Sequence, residues 1–304
     1  KRMARVFNKQ KNSKSHLDTP VDVLDKLSSM GRNDVNMFNM LCAEHDWLDP
    51  DNRIAIFPDS LALCETLMRS QFDLGKGAAI DTTGSTFSVF TPRGLKFGGV
   101  QASSFIVECD SRDDRISRAN AFNELASIKQ NMKNIDSIRP DSITVYYSPI
   151  NAMTSMHQIN LTTEDLIKLI STNDDDSFKE AVKGMAGELP NAIDIPYQKD
   201  LLRFLVSLLI YMTALGDKSI SDYEEPLPNK LTDKGVQLKP VRLNSFATSD
   251  ESSPAAHLRA MHFRNLQNEK YYQGDFSKKP KGSRWTLVRE TSINPTMNII
   301  KVPE

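Results

Sequence analysis

Three cysteines in 304 residues, widely spaced and without a C-x-x-C pair, leave nothing from which to build a disulfide framework or a cysteine zinc site. Cys42 and Cys64 stand in apolar helical contexts, which suits core thiols better than nucleophiles, and Cys109 stands alone. Long hydrophobic runs are also missing. The most apolar stretch, Leu201 to Leu215, is too short to span a bilayer and carries Arg203. The basic, polar start of the chain has no apolar segment of the kind that marks a signal peptide, so the expected location is cytoplasmic, with no membrane contact. No G-x-x-x-x-G-K-[ST] or G-x-G-x-x-G occurs at a strand–helix junction, and neither G-x-S-x-G nor H-E-x-x-H is present. Nucleotide-loop, hydrolase-elbow and zincin chemistries are thereby set aside.

Charge is present but unevenly distributed. The net charge of −1 combines about +5 over residues 1–20, +4 over residues 251–304, and −10 between them. Basic ends on an acidic body point to contact with nucleic acid or another polyanion, although terminal charge is also what solvated tails carry.

Local pattern divides the chain into a basic N-terminus at 1–17, a core at 18–216, a Pro-containing loop or arm at 217–255, and a basic His/Arg/aromatic segment at 256–304. Helix signals start at Thr19-Pro20, resume around Phe38, and start again near Asp59 with Leu61, Leu63, Leu67, Met68 and Phe72. Short strands are expected at 78–80, 86–90 and 100–107, forming an antiparallel meander, with a fourth strand at 143–147. A helix is expected over 117–132. Thr162 and Asp165 have capping-box spacing before Leu166, Ile167, Leu169 and Ile170. Leu201–Leu215, apolar nearly all round, is expected to be a buried central helix. The fold class that follows is α+β, with helices packed on a small antiparallel sheet and a basic C-terminal segment.

Three acidic side chains at 174–176 lack the Asp/Asn alternation, loop glycine and closing Glu of a calcium loop, and read as a solvated turn. Asp81 beside a Thr/Ser turn and His45-Asp46-Trp47 after a helix read as turn and loop-packing residues.

The chemistry-bearing side chains gather in the tail. His257, Arg259, His262, Phe263, Arg264, Tyr271, Tyr272, Arg284, Trp285 and Arg289 fall within forty residues. His257 and His262 are five apart, about 140° on a helix and on opposite faces of a strand, so neither geometry makes a two-histidine metal site. No cofactor is expected. Two readings stay open: an anion clamp of RNA or acidic peptide built on His257, Arg259, His262, Arg264, Tyr272, Arg284 and Trp285, and an acid–base pair of a metal-independent ribonuclease. A purely structural role, in which the histidines cap loops of a folded tail, is the third.

The order His257-x-Arg259-x-x-His262-Phe263, then Tyr271 or Tyr272 with Gln273-Gly274, then Arg284-Trp285, then Ile293-Asn294 resembles the C-terminal signature of an anti-CRISPR family. These are the type V-A inhibitors of mobile elements that lower the amount of the RNA-guided nuclease. Met261 stands where that family has glycine, and the spacings from His262 to Gln273 and from Trp285 to Asn294 are longer. The upstream order is similar too: a strand ending in Asp81, a strand near Phe105–Glu108, the capped helix at 162–170, the acidic turn and the apolar helix. The resemblance implies a phage or plasmid counter-defence protein in a bacterial host. It would bind the nascent N-terminal polypeptide of its target, with loss of the encoding mRNA and with mRNA or ribosome as further partners.

Overall fold

The computed structural model describes Ala43 and residues 54–80, 86–110, 142–147, 157–170, 176–179, 195–225, 239–245 and 261–288. The expected helices before residue 43 and over 117–132 lie outside these residues. So do Cys42, His45, Asp81, His257, Arg259 and Arg289.

Strand β1, Ile54–Pro58, runs into helix α1, Leu61–Met68. Ser60 caps α1: its hydroxyl accepts from the Leu63 N–H at 3.1 Å, satisfying one of the orphan amides of the first turn. Phe72, expected to continue that helix, falls instead in strand β2, Gln71–Asp73. Strand β3 is Phe87–Val89. Strands β4, Lys96–Phe97, and β5, Val100–Gln101, form a hairpin turned by Gly98 and Gly99 with φ of 55° and 80°. Positive φ at both central residues is the requirement of a type I′ hairpin turn. Strands β6, Phe105–Asp110, β7, Ser142–Tyr147, and β8, His157–Thr162, follow as a meander, and β8 leads into helix α2, Thr163–Ile170. The expected capping box is formed. The Asp165 N–H donates to the Thr162 hydroxyl and the Thr162 N–H to the Asp165 carboxylate, both at 3.1 Å.

Helix α3 is Ile195–Leu215. Strands β9, Ile220–Asp222, β10, Lys239–Leu243, β11, His262–Asn265, and β12, Trp285–Val288, complete the described strands.

Seven strands form one sheet in the order β8-β7-β6-β3-β1-β10-β9. Strands β8, β7, β6 and β3 pair antiparallel, but β3, β1 and β10 are parallel, and β9 closes the edge antiparallel to β10. The α+β class holds, whereas the small antiparallel sheet is replaced by a larger mixed one. The expected strands do not include β1, which makes both parallel pairings, or β8, and two further departures add to this. Ala78–Ile80 is a docked loop and not a strand. Two strands, β9 and β10, come from the span expected as a loop or arm. Parallel pairing joins strands that are distant along the chain, so no local signal announces it.

Alternation makes the large sheet two-faced. Val107, Val145 and Leu161 point into the main core. On the opposite face the buried Glu108 accepts a hydrogen bond from the Tyr146 hydroxyl at 2.9 Å. Helix α3 lies between the large sheet and a three-stranded sheet ordered β12-β11-β2. Phe204 meets Phe105 and Phe97, Tyr197 stacks on Tyr147 at 5.5 Å, and Tyr211 reaches the other way to Phe263 at 6.4 Å. Contact on both sides explains why α3 is apolar nearly all round. No helix among the described residues is long and apolar enough to cross a membrane.

The one cation in the apolar run of α3 has a clear use. Arg203 donates its Nε to the Met68 carbonyl at 2.7 Å and an Nη to the Ser70 carbonyl at 3.1 Å, tying α3 to the C-terminus of α1. Arg203→Met keeps the packing stem but removes both charge-assisted bonds, and should lower stability by about 2–3 kcal/mol in urea unfolding. Cys64 is fully buried on α1, and burial pushes its thiol up to about 12. At pH 8.5 that sulfur should therefore resist iodoacetamide until the protein is unfolded, which peptide mass mapping will show.

Candidate functional site

The three-stranded sheet and the loop between its last two strands form a module at the C-terminal end of the described chain. Strand β11 is its centre, antiparallel to β12 and parallel to β2. Its residues alternate strictly. Phe263 and Asn265 are buried, while His262 and Arg264 lie on the outer face. Phe263 stacks on Phe72 at 5.9 Å and meets Tyr211 edge-on, and Phe72 meets Trp285 at 6.4 Å. Trp285 belongs to the core, and its indole N–H donates to the Ala79 carbonyl at 2.8 Å. It anchors the module and is not part of an outward-facing cluster. The physical reason is its register: Trp285 sits opposite buried Asn265 and on the same inner face.

Tyr272 is also committed to structure. Its hydroxyl donates to the Leu266 carbonyl at 2.7 Å and accepts from the Gly282 and Arg284 N–H groups at 2.7 and 3.2 Å. One oxygen thus closes the loop between β11 and β12. Asn268 caps a short 3₁₀ turn by accepting from the Lys270 N–H at 3.0 Å. Asn265 is bonded to Gln267 and donates to the Arg284 carbonyl at 3.3 Å.

The cations divide between two surfaces. On the outer sheet face, Arg264 pairs with Asp73 at 3.1 Å, with both side chains about half exposed at 56% and 52%. Register places Gln71, His262 and Val288 in one cross-strand row and Asp73, Arg264 and Thr286 in the next. In the loop, the Arg284 guanidinium lies 3.5 Å from the centroid of the Phe276 ring and donates to the Tyr271 carbonyl. Lys270 sits 5.0 Å over the Tyr271 ring, and Lys281 pairs with Glu269 at 3.2 Å.

The residues expected as one cluster therefore separate. His262 and Arg264 share the outer face of β11, Arg284 stacks in the loop, and Tyr272 and Trp285 hold the framework. The proposed pairing of His257 and Arg259 with His262 lies outside the described residues. Phe276 and the loop lysines were missed as site residues, although Lys278-Lys279-Pro280-Lys281 stands in plain view after an aromatic residue. Among the described residues, no group of three or more His, Cys, Asp or Glu side chains could hold a metal ion.

Among the described residues the sheet also has an unpaired edge. The Leu266 N–H bonds the Arg284 carbonyl at 2.8 Å, which makes residues 266 and 284 a hydrogen-bonded pair. By alternation, 264 with 286 and 262 with 288 are such pairs too, so the backbone groups of Trp285 and Leu287 point away from β11. No described strand pairs with that side of β12. Comparison of the chain with family models, curated proteins and solved structures gives no match.

Proposed function

We propose that this chain is a counter-defence protein of a mobile element, which binds the nascent N-terminal peptide of a target nuclease and so lowers its mRNA. The observation that carries the reading is the open edge of β12 inside the module made by the signature residues. Residues from His262 to Trp285, recognised above only by their order, close into one folded unit around the Tyr272 hydroxyl. That unit presents outward-directed amides and carbonyls at Trp285 and Leu287. An extended peptide can add to such an edge by main-chain hydrogen bonds, with side-chain preference set by the neighbouring face. His262 and Arg264 on that face favour acidic side chains on the incoming strand.

Nothing in this reading needs catalysis by the chain itself. A nascent peptide is extended and unpaired as it leaves the ribosome, which is the form an open edge accepts. Coupling to mRNA then follows from tethering, because peptide and message share one ribosome.

The test is to capture the full chain from bacteria translating a type V-A nuclease gene, and to sequence the associated RNA. Enrichment of the nuclease message is expected, and it should vanish when the first codons are frame-shifted with minimal change to the RNA. Enrichment that survives the frame-shift would mean that RNA, not peptide, is recognised, and the reading would fail.

A further inference from the structure

The geometry points to a second binding surface, the loop from Glu269 to Arg284, as a stacking site for single-stranded nucleic acid. It is distinct from the β12 edge and independent of the peptide reading.

Among the described residues Phe276 is the large hydrophobic side chain left exposed, at 40%. One face of the ring is stacked against a guanidinium of the protein itself. Arg284 lies 3.5 Å from the ring centroid, and its position is fixed in turn by its bond to the Tyr271 carbonyl. The loop that carries the ring is preorganised. It has two 3₁₀ turns, the Asn268 cap and the Tyr272 hydroxyl bonded to three backbone groups. Order in place before binding lowers the entropy cost of a ligand.

Charge supplies the other half of the site. Residues 269–284 carry five Lys/Arg against two Asp/Glu. Lys270 and Lys278 are exposed, and Lys270 lies over a second ring, that of Tyr271. Cations interleaved with an exposed aromatic ring are what an unpaired nucleic-acid strand requires: ammonium groups follow the phosphates while the ring takes a base. A duplex hides its base faces and would use only the charge. An acidic peptide would likewise use the charge and leave the ring without a function.

The experiment uses the full chain and four fluorescent probes: a 12-nucleotide RNA, a DNA of the same sequence, the corresponding RNA duplex, and an oligoglutamate peptide of twelve residues. Anisotropy is read between 50 and 200 mM salt. The single strands should bind more tightly than the duplex and the peptide. A preference for RNA over DNA would assign a contact to the 2′-hydroxyl, and equal binding would assign the site to single strands of either sugar. Phe276→Ala should weaken single-strand binding about 5- to 150-fold and duplex binding hardly at all. Phe276→Trp should restore it. Lys270→Ala combined with Lys278→Ala should make the log–log salt slope shallower by about 1.4. Because Phe276 is exposed, its variants should keep the parent melting temperature.

Three results would each overturn the assignment. One is no single-strand binding at 50 mM salt. Another is equal weakening of strand, duplex and oligoglutamate by Phe276→Ala. The third is loss of nascent-peptide capture by Phe276→Ala with single-strand binding intact. Failure of the peptide reading leaves the strand assay untouched, so the two can be told apart.

Discussion

Gly282→Ala is expected to detach the C-terminal module from the body of the protein. Gly282 has a φ of +91°, and a β-carbon built there would lie 2.0 Å from the Gly77 carbonyl oxygen and 3.1 Å from its carbon. Both are backbone atoms, so no side-chain rotation can relieve the overlap. The peptide groups must separate, and several bonds run through them. The Ala79 N–H donates to the Gly282 carbonyl at 3.0 Å, and the Gly282 N–H donates to the Tyr272 hydroxyl at 2.7 Å. The Trp285 indole bond to the Ala79 carbonyl lies next in line. Left-handed strain of roughly 1–2 kcal/mol, with two or three net hydrogen bonds at about 1 kcal/mol each, gives a loss of about 3–5 kcal/mol. Gly274→Ala is the control. That residue also has positive φ, +59°, but a β-carbon there meets nothing within 4 Å, so only the strain remains. Urea unfolding should separate the two variants clearly, and trypsin should cut faster at Lys278–Lys281 in Gly282→Ala. Equal midpoints for the two would show that the Gly77–Gly282 contact does not hold the module.

What could be read in the chain depended on how local the responsible physics is. The capping box of Thr162 and Asp165 spans three residues and was legible, as was α3, whose apolar character needs no partner to be seen. Strands β3, β6 and β7 show in their β-branched and aromatic residues. Strand β1 was not anticipated: it is five residues long and ends in Pro58, so it resembles a linker as much as a strand. Strand β10 carries Pro240 and lies in polar surroundings, and only its pairing with β1 makes it sheet. The C-terminal module shows the same limit at site level. Its composition marked the region, but composition cannot say which aromatic faces inward. Phe263 and Trp285 both read as anchors or stackers, and the register of β12 opposite β11 puts both on the inner face, while Phe276, exposed in the loop, gave no such signal.

That division of labour within one strand gives the last prediction. Phe263 and Arg264 are neighbours on β11 with opposite surroundings, so Phe263→Ala and Arg264→Ala should differ greatly in effect. Phe263 is fully buried between Phe72 and Tyr211 and joins the small sheet to α3. Removing its ring leaves a cavity where two layers meet, and should cost about 3–5 kcal/mol. Arg264 forms a half-exposed pair with Asp73, and such pairs contribute little, so Arg264→Ala should change stability by less than about 1 kcal/mol. The ranking should reverse in binding. Folded Phe263→Ala molecules, assayed below their melting temperature, should still capture the nascent peptide, whereas Arg264→Ala should capture it less well and with weaker salt dependence. On the proposed reading, a cation that adds little to stability and stands on the strand beside β12 serves a partner outside the molecule. If Arg264→Ala instead unfolds the protein as readily as Phe263→Ala while its folded fraction binds fully, the outer-face cations are part of the scaffold, and the peptide must be sought elsewhere on the chain.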